Sequence, residues 1–123
     1  MDIDIKDLRN SCKKLTLLYV EDDEDARNST LKMFGHFFDD IIVARDGEEG
    51  LEAFKTNKID LVISDINMPK MDGIEMLQAI REISKEVPFL LLSAYSENKY
   101  FTKSISLGVD YFIIKPIQQR QLY

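Results

Sequence analysis

The chain has 123 residues, of which 45% are hydrophobic and 31% are charged, and its formal net charge is −6. This composition predicts one soluble globular domain, and no apolar run approaches the roughly 20 residues that a membrane span requires. The acidic charge argues against a free-standing nucleic-acid binder, which would carry a basic face. The polar start MDIDIKDLRN is unlike a signal peptide and Cys12 is the only cysteine, so we expect a cytoplasmic protein without an internal disulfide.

Five short apolar runs follow one another along the chain and predict β-strands. They are LTLLYV (15–20), IIVA (41–44), IDLVIS (59–64), PFLLLS (88–93) and VDYFIIK (109–115). Each run is continuous rather than alternating in hydrophobicity, which is typical of strands that are buried on both faces of a sheet.

Helical patterns separate these runs. Apolar residues spaced by three and four predict helices over 24–38, 47–55, 73–84 and 96–107, and IQQRQLY begins a short fifth helix. Asp46 and Glu49 form a capping-box pattern before the second helix, and Gly108 is a predicted C-cap of the fourth. The alternation predicts an α/β fold of (βα)5 type, with a doubly wound parallel sheet, right-handed crossovers and helices on both faces, in three layers.

Polar side chains stand at the ends of four of the five apolar runs. They are Glu21, Asp22 and Asp23 after the first run, Asp65 after the third, Ser93 at the end of the fourth and Lys115 at the end of the fifth. The carboxyl ends of parallel strands lie on one edge of a sheet, where doubly wound folds bind ligands. We therefore expect these side chains to form one cluster.

The charges of this cluster indicate a metal site that supports phosphoryl transfer. Carboxylates that are held close together repel one another, and Lys115 supplies one compensating charge. Oxygen ligands without histidine or cysteine suit Mg²⁺, and an aspartate beside Mg²⁺ and a lysine is a suitable nucleophile for a phosphoryl group. Asp23 is either a third metal group or an acid in the first turn of the helix, and the sequence favours the second interpretation.

Four stretches of the chain together resemble the receiver domain of two-component response regulators. They are LYVEDDEDAR, DLVISDINMPKMDG, LLSAYSE and GVDYFIIKPI. The resemblance covers residues 14–123 and leaves residues 1–13 as an N-terminal extension. It implies a flavodoxin-like fold with strand order 2-1-3-4-5.

The resemblance implies a role for each acidic residue of the cluster. Asp65 matches the phospho-acceptor of the family. Glu21, Asp22 and Asp65 match the groups that hold Mg²⁺, with Glu21 acting through water, and Asn67 would offer its backbone carbonyl to the metal.

Further roles implied by the resemblance fall at the ends of the last two strands. Ser93 and Lys115 match the residues that contact the phosphoryl group, and Pro116 would follow a cis peptide bond. Phe112 matches the aromatic switch residue, although many members have tyrosine there and this chain has its tyrosine one place earlier, at Tyr111. Core packing without switching remains an alternative role for Phe112.

Neighbours of these residues match positions that tune the family's chemistry. Ala94 is small, which leaves phosphoryl groups room to enter, and Asn67 and Tyr95 occupy positions where the family varies and tunes autodephosphorylation. The implied function is a signalling switch that is phosphorylated by a sensor histidine kinase or phosphotransfer domain.

Two other functions are alternatives to the switch. A phosphatase of the haloacid dehalogenase type would place a second aspartate two residues after its nucleophile, where this chain has Asn67. Because an amide cannot shuttle a proton, we expect a trapped phosphoryl-aspartate and no enzymatic turnover. A receiver-like module that is never phosphorylated is the other alternative.

The last helix would be short, since few residues follow Pro116. We expect a receiver excised from a longer regulator with a C-terminal output domain, and a stand-alone receiver is the alternative. Dimerisation linked to phosphorylation is a further hypothesis.

Overall fold

Nine elements alternate between strand and helix in the computed structural model, which describes residues 13–93 and 101–114, with only the backbone for residues 101, 102 and 114. They are β1 (Thr16–Val20), α1 (Glu24–Phe34), β2 (Asp40–Ala44), α2 (Gly47–Thr56), β3 (Leu61–Asp65), α3 (Gly73–Ile83), β4 (Phe89–Ser93), α4 (Phe101–Ser106) and β5 (Tyr111–Ile114). All strand pairs are parallel, and the sheet order is β2-β1-β3-β4-β5. The predicted α/β fold and strand order are confirmed.

The sheet is buried on both faces, as the continuous apolar runs predicted. Along β1, Leu17 and Tyr19 join a core on the α1 face, whereas Leu18 and Val20 join a core on the α2–α3 face. All four side chains are inaccessible to solvent. Apolar burial of this kind stabilises the fold by about 1.5–3 kcal/mol for each large side chain.

Aromatic rings fill the core on the α1 face. Phe34 meets Tyr19 edge to face with ring centroids 5.2 Å apart, and it meets Phe38 in the same way at 6.3 Å. The predicted helix over 24–38 was too long, because α1 ends at Phe34. Tight backbone bonds then form a turn, such as that from the Phe37 amide to the Phe34 carbonyl (2.9 Å), which directs Phe37 and Phe38 into the core.

The core on the α2–α3 face rests on the apolar stripe of α3, where Ile74, Leu77 and Ile80 are buried. A full capping box begins this helix: Asp72 accepts from the Glu75 amide (2.8 Å) and Glu75 accepts from the Asp72 amide (3.1 Å). Such a cap satisfies two backbone donors that the helix itself cannot pair. The start of α3 is therefore firmly defined, just after the strand that ends in Asp65.

The caps of two other helices agree with the sequence predictions. Asp46 is the N-cap of α2 and accepts from the Glu49 amide at 2.8 Å. Gly108 has φ +85°, the left-handed conformation that glycine adopts readily after a helix. None of the helices in the described parts of the chain is long and apolar enough to cross a membrane.

Candidate functional site

The strand register brings two acidic residues together at the carboxyl edge of the sheet. Val20 of β1 pairs with Ser64 of β3, so the next residues, Glu21 and Asp65, lie at the same level on neighbouring strands. Neither is remote from the sheet: Asp65 is the last residue of β3, and the Glu21 amide donates to the carbonyl of Ala44 in β2 (3.1 Å). The backbone itself therefore places these carboxylates side by side.

Within residues 13–93 and 101–114, three acidic side chains lie close enough to hold one metal ion. Glu21, Asp22 and Asp65 each offer a carboxylate oxygen, and these three oxygens lie within 4.8 Å of one another. Glu21 is 1% exposed and Asp65 is 6% exposed, whereas Asp22 is open to solvent. The site is thus a partly buried concentration of negative charge with one side facing water.

This donor set fits a magnesium ion. Mg²⁺ binds oxygen ligands at about 2.0–2.1 Å, so opposite ligands lie about 4.2 Å apart, and it usually keeps several waters. Carboxylates at the observed spacing could hold such an ion with small adjustments. Asn67 is exposed in the loop that follows β3, on the chain segment where the family resemblance implied a metal-facing carbonyl.

Asp23 is the N-cap of α1. Its side chain accepts from the Ala26 amide at 2.8 Å, and its own amide donates to Glu21 Oε2 at 3.4 Å. Of the two interpretations of this acid, the structure supports the one that assigns it to the start of the helix. Of the three acids that follow β1, Glu21 and Asp22 therefore belong to the acidic cluster and Asp23 caps the helix.

Arg27 is a site residue that sequence reasoning missed. From the first turns of α1, its Nη1 donates to the carbonyl oxygen of Glu21 at 3.0 Å and to that of Asp22 at 3.5 Å. The guanidinium fixes the backbone that carries both acids and brings positive charge to this edge. The available signal was an arginine six residues after Glu21, which is too common a pattern to single out.

Two hydrogen bonds fix the backbone at Asp65 and Ile66, which the sequence also did not predict. The buried Ser64 hydroxyl donates to the carbonyl oxygen of Asp65 at 2.8 Å. A Cβ at Gly73 would overlap the same oxygen, and the Gly73 amide donates to the carbonyl of Ile66 at 2.7 Å. Only glycine allows α3 to begin this close to the end of β3.

Ser93 is at the end of β4, fully buried and close to the acidic cluster along the sheet edge. Leu92 pairs with Asp65, so Ser93 is one residue further along the neighbouring strand, where it pairs with Ile114. This position agrees with the predicted proximity of Ser93 to the acceptor.

Phe112 pairs with Leu91 and packs, partly buried, against the α2–α3 core, whereas Tyr111 is 66% exposed. The predicted role of Phe112 as a switch stays a prediction. Four other predicted site residues lie outside the described residues: Ala94, Tyr95, Lys115 and Pro116.

Comparison with known proteins identifies this architecture. The family model described as "Response regulator receiver domain" matches residues 17–123. A "Probable transcriptional regulator ycf27" from Guillardia theta is 34% identical over 125 aligned residues, which include 99% of this chain and 45% of that protein. The chain therefore spans less than half the length of this relative.

Two solved structures share both fold and sequence with the chain. The N-terminal domain of an uncharacterized protein from Wolinella succinogenes is 42% identical with a TM-score of 0.81, and the match covers 88% of this chain and 87% of that one. A chain in the structure of the CheX–CheY–BeF3–Mg²⁺ complex from Borrelia burgdorferi is 32% identical with a TM-score of 0.80, and the match covers 88% of this chain and 83% of that chain.

Proposed function

The chain belongs to the response regulator receiver domain family of two-component systems, and on this premise we propose that it accepts a phosphoryl group on Asp65 with the help of Mg²⁺. The donor would be a phosphohistidine on a sensor histidine kinase or a phosphotransfer domain. The observation that carries the proposal is the cluster of Glu21, Asp22 and Asp65, whose carboxylate oxygens lie within 4.8 Å of one another.

In the proposed reaction a carboxylate oxygen of Asp65 attacks the phosphorus atom of the donor. The new O–P bond forms an acyl phosphate, the P–N bond to the donor histidine breaks, and the imidazole nitrogen keeps the electron pair. Bound Mg²⁺ would supply positive charge to the carboxylates and to the phosphoryl oxygens. The hydrogen bonds from the Ser64 hydroxyl to the carbonyl of Asp65 and from the Gly73 amide to the carbonyl of Ile66 fix the backbone around Asp65, which favours attack from a fixed geometry.

Other residues would support the phosphorylated state. We propose that Ser93 and Lys115 contact the phosphoryl group, that the small Ala94 leaves room for its entry, that Tyr95 tunes autodephosphorylation, and that Phe112 responds to the change. The burial of Ser93 at the end of β4, one residue beyond the level of Asp65, supports its part in this proposal.

The domain would act as a switch and not as a turnover enzyme. Asn67 follows the acceptor by two residues and offers no carboxyl group to activate water, so the phosphoryl-aspartate would persist. A long-lived modification can shift a conformational equilibrium that a partner then detects.

The switch would have two kinds of partner, one that phosphorylates it and one that responds to its phosphorylation. The matched relative from Guillardia theta is a probable transcriptional regulator, and this chain covers only 45% of it. This supports the proposal that a C-terminal output domain acts on transcription. The net charge of −6 favours a receiver that itself makes no nucleic-acid contact. Dimerisation on phosphorylation is part of the same proposal.

Beryllofluoride, a phosphoryl mimic, tests the proposed function. We expect fluorine NMR to detect one bound adduct per chain when Mg²⁺ and beryllofluoride are both present, and none in Asp65→Asn. The matched control is Asp60→Asn, because Asp60 precedes β3 at the other edge of the sheet, where it accepts from the Thr16 amide at 2.9 Å. A wild-type protein that forms no adduct would contradict the proposal.

A further inference from the structure

We propose that the amino end of α2, formed by Asp46 and Gly47, is a positioning element that holds the loop after β3 in place for Mg²⁺ binding. This loop, residues 66–72, joins β3 to α3 and includes Asn67. The inference rests on the proposed function, because the metal site is the one proposed there. It concerns residues that take no direct part in that site.

Gly47 contacts the loop directly, with main-chain atoms of Gly47 against main-chain atoms of Met71. Its amide donates to the carbonyl oxygen of Met71 at 3.0 Å, and Gly47 is buried. A Cβ at Gly47 would overlap that oxygen and would lie 2.8 Å from the Met71 carbonyl carbon. Rotation of a side chain cannot relieve a clash between backbone and Cβ, so any larger residue must displace either the helix or the loop.

The loop is strained at the residue before Met71. Lys70 has φ +68°, a left-handed conformation that is unfavourable for a residue with a side chain. Its Nζ lies 3.8 Å from Asp46 Oδ2, but its side chain is 65% exposed, so this ion pair contributes little. A strained backbone persists where the surrounding contacts determine it, and the contact with α2 is one of these.

Hydrogen bonds within the loop connect Met71 to the rest of the segment. The Met71 amide donates to the carbonyl of Pro69 (2.8 Å), and the Gly73 amide donates to the carbonyl of Ile66 (2.7 Å). The loop is thereby closed on itself between Ile66 and Gly73. A displacement at Met71 is therefore transmitted to Asn67, which lies between these bonds.

The amino end of α2, which contacts the loop, is itself held in place by a helix cap and by core packing. Asp46 Oδ1 accepts from the Glu49 amide at 2.8 Å, which defines the first turn of the helix, and α2 packs on α3 and on the sheet. Mutation of a residue that contacts and orients a metal ligand typically changes the metal affinity by about 10–100-fold. We expect Gly47 to act in this way on the site that includes Asn67.

Gly47→Ala tests the inference, with Gly50→Ala as its matched control on the same helix. A Cβ at Gly50 would lie 2.6 Å from Met76 Sδ and 2.9 Å from Val20 Cγ2, so this variant disturbs core side chains and not the loop. We expect both variants to lower the melting temperature. Calorimetric titration of the folded proteins with MgCl₂ should show a Kd raised about tenfold or more in Gly47→Ala alone.

Hydrogen exchange in the metal-free protein gives a second readout. The amides of Met71 and Gly73 should exchange faster in Gly47→Ala than in wild type, and at the wild-type rate in Gly50→Ala. If Gly47→Ala fails to fold, Asp46→Ala removes the cap and the ion pair without a clash, and we expect a smaller rise in Kd.

Three results would overturn the inference: an unchanged Kd in Gly47→Ala, an equal rise in Gly50→Ala, or unchanged loop exchange in Gly47→Ala. If wild type binds Mg²⁺ normally in such an experiment, the proposed function stands while the inference falls. A wild type that binds no Mg²⁺ contradicts the proposed function instead, and with it the inference.

Discussion

The guanidinium of Arg27 donates a hydrogen bond over 3.0 Å to the main-chain carbonyl oxygen of Glu21, the more deeply buried acid of the cluster. The bond joins α1 to the turn after β1 and brings positive charge to the edge of the sheet that carries the acidic cluster. It therefore links the stability of this edge of the sheet to the geometry of the site.

Arg27→Met should destabilise the protein in the absence of Mg²⁺. Hydrogen bonds that involve a charged donor contribute about 1.5–3 kcal/mol, and partial exposure of this one favours the lower end of that range. Urea unfolding measures the change in the free energy of unfolding. Arg45→Met is the control, since Arg45 is exposed at the same sheet edge and its loss makes the same change in charge. Equal losses in both variants would contradict a specific role for Arg27.

Arg81→Met should destabilise the opposite edge of the sheet without affecting the site. Arg81 donates to the carbonyl of Val87 (2.7 Å) and to that of Gly108 (2.7 Å), and it pairs with Asp110 at 3.2 Å. Loss of these contacts leaves backbone acceptors without their donor, so we expect a cost of about 2–3 kcal/mol in urea unfolding.

Asp110→Asn provides the contrast to Arg81→Met. Asp110 is half exposed, and its Oδ2 accepts from the Phe89 amide at 2.8 Å. The side-chain oxygen of the asparagine in the variant can still accept this bond. We expect a cost below about 1 kcal/mol for this variant. The Kd for Mg²⁺ should stay at the wild-type value in both variants, and a weakened affinity would show that the two edges are coupled.

Lys70→Gly should stabilise the protein. Lys70 has φ +68°, and a left-handed conformation costs a residue with a side chain about 1–2 kcal/mol, which glycine avoids. Because glycine also gains freedom in the unfolded chain, we expect a net gain of about 0.5–1 kcal/mol in urea unfolding. Lys70→Ala keeps the strain and should be nearly neutral. A gain in Lys70→Ala of equal size would refute the explanation by strain.

Mg²⁺ should stabilise the wild-type protein against unfolding. A ligand that binds only the folded state at ten times its Kd adds about 1.4 kcal/mol to the free energy of unfolding. This gain should be lost in Asp22→Asn, because Asp22 belongs to the acidic cluster, and kept in Asp25→Asn, because Asp25 lies in the first turn of α1. Loss of the gain in both variants would indicate binding by net charge alone.

Topology was the most predictable feature of this protein. Strands that are buried on both faces need continuous apolar residues, and the sequence shows such runs directly, as in the one that ends at Val20. The end of α1 was not predictable in the same way. Phe37 and Phe38 keep a helical spacing in sequence but reach the core from a turn, so hydrophobic periodicity alone extended the helix too far.

The acidic cluster could be predicted because its members end neighbouring parallel strands, and that relation follows from topology alone. The contacts that support it could not. Arg27 and Gly47 both act on main-chain carbonyls, which every residue carries, so nothing in the side chains of Glu21 or Met71 indicates a partner. Such contacts depend on the distance between elements in the folded chain, which local sequence patterns do not encode.

The most direct test of the account is the chemical identity of the acceptor. Labelled acetyl phosphate and Mg²⁺ should transfer one phosphoryl group to the wild-type chain, and peptide mapping after trapping with borohydride should locate it at Asp65, the carboxylate at the end of β3. Chelation of Mg²⁺ or the change Asp65→Asn should abolish the label. Labelling at another residue, or equal labelling of wild type and Asp65→Asn, would contradict the account.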